Sequence, residues 1–119
     1  MKNFKYFLVC IFFVACKAEN PSFKLRNESS MTFDSLHVFA QEDDKTILKS
    51  IKPGREYGGV IIFNDSVLGD GCYTLFIYKD KEIVFQKCFG YYTNGTHSSE
   101  KFDIVINEDS VSVKQLWRD

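Results

Sequence analysis

Cys72-Tyr73-Thr74-Leu75-Phe76-Ile77-Tyr78 and Glu82-Ile83-Val84-Phe85-Gln86-Lys87-Cys88-Phe89 are two runs rich in aromatic and β-branched residues, separated by Lys79-Asp80-Lys81. Such residues pack well on a pleated surface, so the stretch predicts a β-hairpin. Facing residues of an antiparallel pair share one side of the sheet. Setting Cys72 opposite Cys88 places Leu75 against Phe85 and Ile77 against Ile83 on one apolar face. Thr74 then faces Gln86, and Phe76 faces Val84, on the other. This register needs a three-residue loop at 79–81. Such a loop prefers Gly in the left-handed region at its end, where Lys81 fits poorly, so a five-residue loop is the alternative.

Downstream, Phe102 to Asn107 and Ser110 to Leu116 predict a second hairpin turning at Glu108-Asp109. Its alternation pairs Ile106 with Val111 and Ile104 with Val113, and sends Asp103, Ser112 and Lys114 toward water. Upstream, strands are predicted over 22–27, 32–41 and 46–51, followed by the turn Lys52-Pro53-Gly54. Tyr57 to Phe63 is a further strand. Its unbroken run Val60-Ile61-Ile62-Phe63 predicts burial on both faces. Residues 64–71 and 91–99 read as polar loops.

Eight short strands at roughly ten-residue spacing predict an all-β fold. The architecture expected is a small antiparallel β-sandwich, with a small β-barrel as the alternative. Gly71-Cys72-Tyr73-Thr74-Leu75 resembles the Gly-x-Tyr-x-aliphatic strand start of prealbumin-like and carboxypeptidase-regulatory-like sandwiches. The composition agrees with strands: 12 Phe and 6 Tyr in 119 residues.

The N-terminus reads differently. Lys2 and Lys5 precede a short apolar run, Tyr6 to Val14, and Lys17 and Glu19 follow soon after. A membrane-spanning helix needs about 20 apolar residues, so this run is expected to be a cleaved signal. Phe13-Val14-Ala15-Cys16 resembles the lipobox of bacterial lipoproteins, departing from it at Phe13, where Leu is commoner. The resemblance implies cleavage before Cys16 and a lipid on its sulfur. The expected organisation is a signal peptide at 1–15, a lipidated tether at 16–21 and one domain at 22–119. The expected location is the bacterial cell envelope, on the outer membrane or facing the periplasm. The alternative is cleavage after Ala18 and secretion.

Cleavage before Cys16 leaves 104 residues with 13 basic and 16 acidic side chains. A net charge of −3 argues against nucleic-acid binding, which depends on a positive field. Cys10 leaves with the signal and Cys16 takes the lipid, so Cys72 and Cys88 remain. In an exported protein they are predicted to form a disulfide; the alternative is two buried free thiols.

Catalytic patterns are weak. His37 is out of phase with Leu36 and Val38, so it belongs on the opposite face of its strand. His97 lies in a polar loop. Neither sits in a metal-binding or nucleophile motif, and no catalytic residue, metal site or cofactor is expected. Asp65, Asp70 and Glu42-Asp43-Asp44 carry oxygens that suit Ca²⁺, but their spacing matches no Ca²⁺ loop. Asn27-Glu28-Ser29, Asn64-Asp65-Ser66 and Asn94-Gly95-Thr96 have the N-glycosylation pattern, read here as chance beside a bacterial signal. Asp34-Ser35-Leu36, Asp65-Ser66-Val67 and Asp109-Ser110-Val111 resemble the Asp-Ser/Thr-aliphatic O-glycosylation sites of Bacteroidota exported proteins. Tyr91, Tyr92 and Asn94 form the most site-like segment, since Tyr is favoured at interfaces. A protein partner in the envelope is expected, for a non-enzymatic binding or scaffolding role. The alternatives are an inhibitor or immunity lipoprotein acting on an enzyme such as a lysozyme, and a small periplasmic hydrolase using His37 or His97.

Overall fold

A computed structural model describes residues 20–63, 69–93 and 100–116 of the chain. Eight strands appear among them: β1 (Ser22–Asn27), β2 (Phe33–Phe39), β3 (Thr46–Ile51), β4 (Glu56–Val60), β5 (Gly71–Lys79), β6 (Glu82–Tyr92), β7 (Lys101–Ile106) and β8 (Val111–Leu116). They form two four-stranded sheets. The first has the order β4-β1-β7-β8 and the second β3-β2-β5-β6. Neither sheet closes on itself, so the fold is a sandwich and not a barrel. All neighbours are antiparallel except β1 and β7, which run parallel with Phe23 beside Phe102 and Leu25 beside Ile104. That parallel pair departs from a purely antiparallel sandwich. Residues distant in sequence join β1 to β7, so no hairpin turn constrains their direction.

Period-two alternation builds the core. β1 buries Phe23, Leu25 and Asn27 and turns Lys24 and Arg26 outward. β7 buries Phe102, Ile104 and Ile106. Opposite them, β2 contributes Leu36 and Val38, and β5 contributes Tyr73, Leu75 and Ile77, all fully buried. A fully buried aliphatic or aromatic side chain contributes about 1.5–3 kcal/mol relative to exposure. The four central strands therefore hold most of the fold.

Asn27 fastens the first sheet to the second. Its amide donates to the carbonyls of Met31 (2.8 Å) and Ile51 (3.2 Å). Its side-chain oxygen accepts from the backbone N–H of Ser29 (3.0 Å) and from the Ser29 hydroxyl (2.6 Å). Every polar valence of the buried amide is used, as burial requires.

The β7–β8 hairpin has the expected register, with Ile106 opposite Val111 and Ile104 opposite Val113. The β5–β6 hairpin does not. Asp80 (φ 53°) and Lys81 (φ 67°) form a two-residue turn with both centres left-handed, the geometry that follows the twist of a hairpin. Tyr78 therefore faces Ile83, and a bulge at Val84 sets Ile77 opposite Phe85, where the expected partner was Ile83. Asp34 secures the turn by accepting the Lys81 backbone N–H at 3.0 Å. The expected pairing was two residues out of step beyond the bulge. The shift is even, so it preserves faces: Leu75, Ile77 and Phe85 still point inward. Ile83 instead points outward, 47% exposed.

A second irregularity lies between Gly71↔Tyr92 and Tyr73↔Phe89. Gly90 (φ +68°) occupies it, and a Cβ there would stand 2.8 Å from both Phe102 and Tyr73. Only glycine satisfies both constraints. The strand runs on through Tyr92, further than the sequence suggests.

The run Val60-Ile61-Ile62-Phe63 is not buried on both faces. β4 is an edge strand paired only with β1. Ile61 is fully buried, while Val60 and Ile62 are 48% and 38% exposed. Both lateral openings of the sandwich are bridged. On one side Thr46 Oγ1 donates to the Val60 carbonyl. On the other, Lys87 Nζ donates to the Val111 carbonyl at 3.1 Å.

Candidate functional site

The outer face of the second sheet carries the densest cluster of outward aromatic groups. On β2 the residues out of phase with Leu36 and Val38 are Ser35, His37 and Phe39. On β5 those out of phase with Leu75 and Ile77 are Thr74, Phe76 and Tyr78. The register sets Ser35 opposite Tyr78, His37 opposite Phe76 and Phe39 opposite Thr74. Ring centroids lie 5.6 Å apart for Phe39 and Phe76, 6.4 Å for Phe76 and Tyr78, and 4.6 Å for His37 and Tyr78. These are separations at which aromatic edges and faces attract. Lys45 places its ammonium 5.6 Å over the Phe39 ring. On β3, Ile47 and Lys49 face the same way, opposite His37 and Ser35. None of these outward strand positions holds Asp or Glu.

His37 is the titratable group of this face. Desolvation first, and the Lys45 charge second, push its pKa below the ordinary 6.5. The imidazole is therefore neutral at neutral pH. Its Nε2 lies 3.3 Å from the Ser35 hydroxyl, and its Nδ1 is buried with no hydrogen-bond partner. A nucleophile–base pair of the Ser-His kind needs a third group to orient the imidazole. Here that position on the ring is unfilled.

The outer face of the first sheet is of another kind. Arg26 pairs with Glu28 at 2.9 Å and approaches Glu56 at 3.9 Å, each side chain about half exposed. Lys24, Lys101 and Asp103 line a shallow cavity of about 360 Å³ with Ser22, Phe23, Phe102 and Leu116. Solvated pairs of this type contribute ~0–1 kcal/mol.

The residues singled out from the sequence are scattered. Cys72 and Cys88 are joined in a disulfide with Cα atoms 5.8 Å apart, inside the usual range for the bond. They are not directly opposite, since Thr74 faces Cys88; the bridge runs diagonally on the outward side of the hairpin. Tyr91 is 60% exposed, whereas Tyr92 is buried against Phe63 and Tyr73, at 5.1 and 5.6 Å. Asn94, His97, Asp65 and Cys16 lie outside the described residues. Asn27 is wholly buried, so its glycosylation pattern has no accessible amide in the folded domain. Among the described residues no group of three or more His, Cys, Asp or Glu side chains is placed to hold a metal ion.

A buried polar pair sits at the end of the core. Tyr73 donates to Glu100 at 3.5 Å. Burial, and then the neighbouring Glu100 carboxylate, raise the Tyr73 pKa well above its ordinary value. Tyr73 is thereby held as a neutral donor.

The aromatic face of the second sheet was not singled out from the sequence. Its signal is there in β5, where both alternating sets, Leu75 with Ile77 and Phe76 with Tyr78, are apolar. A strand with one solvated face normally alternates apolar and polar. Comparison with protein-family models, with curated proteins and with solved structures gave no match.

Proposed function

We propose that this protein is a lipid-anchored, non-enzymatic binding module of the bacterial cell envelope. Cys16 carries the anchor, and the outer face of the second sheet receives a protein partner with an acidic surface. One observation carries this reading: Phe39, itself buried, and the half-buried Phe76, Tyr78 and His37 form a continuous aromatic face flanked by Lys45 and Lys49, while the exposed Asp34 and Glu82 of the same sheet sit by the β5–β6 turn. Aromatic side chains supply large contact area with few rotamers to immobilise, and desolvated aromatic clusters dominate interface energetics. Flanking lysines steer an acidic surface toward them. The Cys72–Cys88 disulfide fits an oxidising compartment.

Affinity capture from the native envelope tests the binding face. The full chain is compared with a Phe76→Ser/Tyr78→Ser variant and with Lys49→Glu, each checked for an intact fold. A partner held by the wild type and lost with both variants, more readily at high salt, is the expected outcome. Capture of the same proteins by all three chains would remove this face from the proposal. Labelling with a palmitate analogue, wild type against Cys16→Ser, tests the anchor separately: equal labelling excludes it.

A further inference from the structure

The end of the sandwich at which β1 begins has an unusual cover. Beyond β4 the chain crosses from the edge of the first sheet toward β6. The Ile61 N–H donates to the Pro21 carbonyl at 2.7 Å, and the Phe63 ring lies 5.1 Å from Tyr92. Alternation continues through this crossing segment. Ile61 and Phe63 point into the sandwich, while Val60 and Ile62 point away from it. Val60, Ile62 and Tyr91 are three of the six large apolar side chains that stand exposed among the described residues, and all three belong to this end. Lys101, exposed and paired with both Ser22 and Leu116, stands beside them.

We propose that this end of the domain rests in the interface of a phospholipid bilayer, with Val60 and Ile62 in contact with lipid. The proposal depends on the reading of Cys16 as the lipid-bearing residue. Five residues separate Cys16 from Ser22, so a fully extended tether spans only about 20 Å. A six-residue strand is about as long. The start of β1 is therefore confined near the headgroups. Contact made under such confinement is effectively intramolecular, so a small apolar surface suffices to set the orientation. Aliphatic side chains enter the interfacial layer, Tyr suits its boundary, and a lysine at the rim reaches the phosphates. The acidic turn Glu42-Asp43-Asp44 belongs to the same end on the second-sheet side. It disfavours anionic headgroups there, so a bilayer of low net charge fits best. In this orientation the aromatic face stands beside the membrane, open to a partner.

The test uses the mature, lipidated protein. With Cys16 acylated and Cys72 bonded to Cys88, Ile62→Cys introduces the sole free thiol of the chain, and Asp109→Cys does so at the opposite end. Each is labelled with a small fluorophore and placed in phosphatidylcholine–phosphatidylethanolamine vesicles containing a brominated lipid. Several-fold stronger quenching at position 62 than at 109 is expected, with the signal at 62 also shielded from aqueous iodide. Val60→Cys gives the same readout should Ile62→Cys fail to fold. Equal quenching at the two ends overturns the proposal. Shielding from iodide at position 62 in these vesicles without quenching by the brominated lipid also overturns it. Absence of palmitate labelling overturns the anchor and this proposal together, whereas labelled protein without preferential quenching overturns this proposal alone.

Discussion

The two sheets share one core and present opposite chemistries outside it. The outer face of β4-β1-β7-β8 carries Lys24, Arg26, Glu56, Asp103 and Lys114, partly paired and solvated. The outer face of β3-β2-β5-β6 carries Phe39, Phe76, Tyr78 and His37 in mutual contact. The inner residues of both sheets are similar in kind: Phe, Leu, Ile, Val and Tyr. Stability alone therefore does not explain the asymmetry. A sandwich needs only its inner faces to fold, and a solvated outer face costs it little. An aromatic outer face adds modest packing energy, and the binding role proposed above would account for its presence.

This contrast predicts a graded series of effects. The largest belongs to the shared core. Phe102→Ala should lose about 3–5 kcal/mol of unfolding free energy in a urea titration, because collapse around a removed aromatic ring is incomplete. Lys114→Ala, on the outer side of the adjoining strand, should stay within about 0.5 kcal/mol. A comparable loss at both positions would mean that the first sheet's outer face is structural after all.

Next comes the disulfide, which lies on the outward side of the second sheet. Cys72→Ser/Cys88→Ser opens a loop closed across a sequence separation of 16. The expected loss is about 3 kcal/mol, measured by denaturation with and without reductant. Reductant should then have no further effect on the variant.

Smaller still in stability is Phe76→Ser. It removes two aromatic contacts worth about 0.5–1.5 kcal/mol each. Partner capture should nevertheless disappear. A large stability loss with capture unchanged would turn the aromatic face into a second core.

The smallest effect is pH-dependent and confined to the second sheet. The folded pKa of His37 lies below its ordinary 6.5, so the unfolded chain takes up the proton first as pH falls. Stability present above pH 6.5 is lost as the pH drops toward the folded value, and the loss is constant below it. His37→Gln should flatten that window when unfolding is followed between neutral and acidic pH. An unchanged slope would assign the acid sensitivity elsewhere.

Much of the fold is visible in local patterning. All eight strands lie where alternation and turn residues place them, to within a few residues. The β7–β8 register is legible because Ile104, Ile106, Val111 and Val113 alternate without interruption around Glu108-Asp109. The β5–β6 register is not, since Asp80 and Lys81 adopt left-handed backbone without being Gly, and Val84 and Gly90 interrupt the ladder. The turn and the bulge at Val84 leave no compositional mark, whereas Gly90 marks the second bulge by being glycine within a strand. The exposure of Val60 and Ile62 also escapes local reading. Four apolar residues in a row describe a central strand equally well, and only the strand order puts β4 at an edge. Half of the candidate site is legible in β5, where both faces are apolar. The other half, in β2, becomes apparent only when His37 and Phe39 are brought beside Phe76 and Tyr78.

Local patterning alone specifies the all-β class, the strand spans, most of the inward residues and the capacity of Cys72 and Cys88 to share a face, because period-two alternation is a local property of the chain. The order of strands, the parallel β1–β7 pair, the internal fastening at Asn27 and the aromatic outer face were decided only in three dimensions. Each depends on which distant strands become neighbours, and that choice is made by packing the whole core at once.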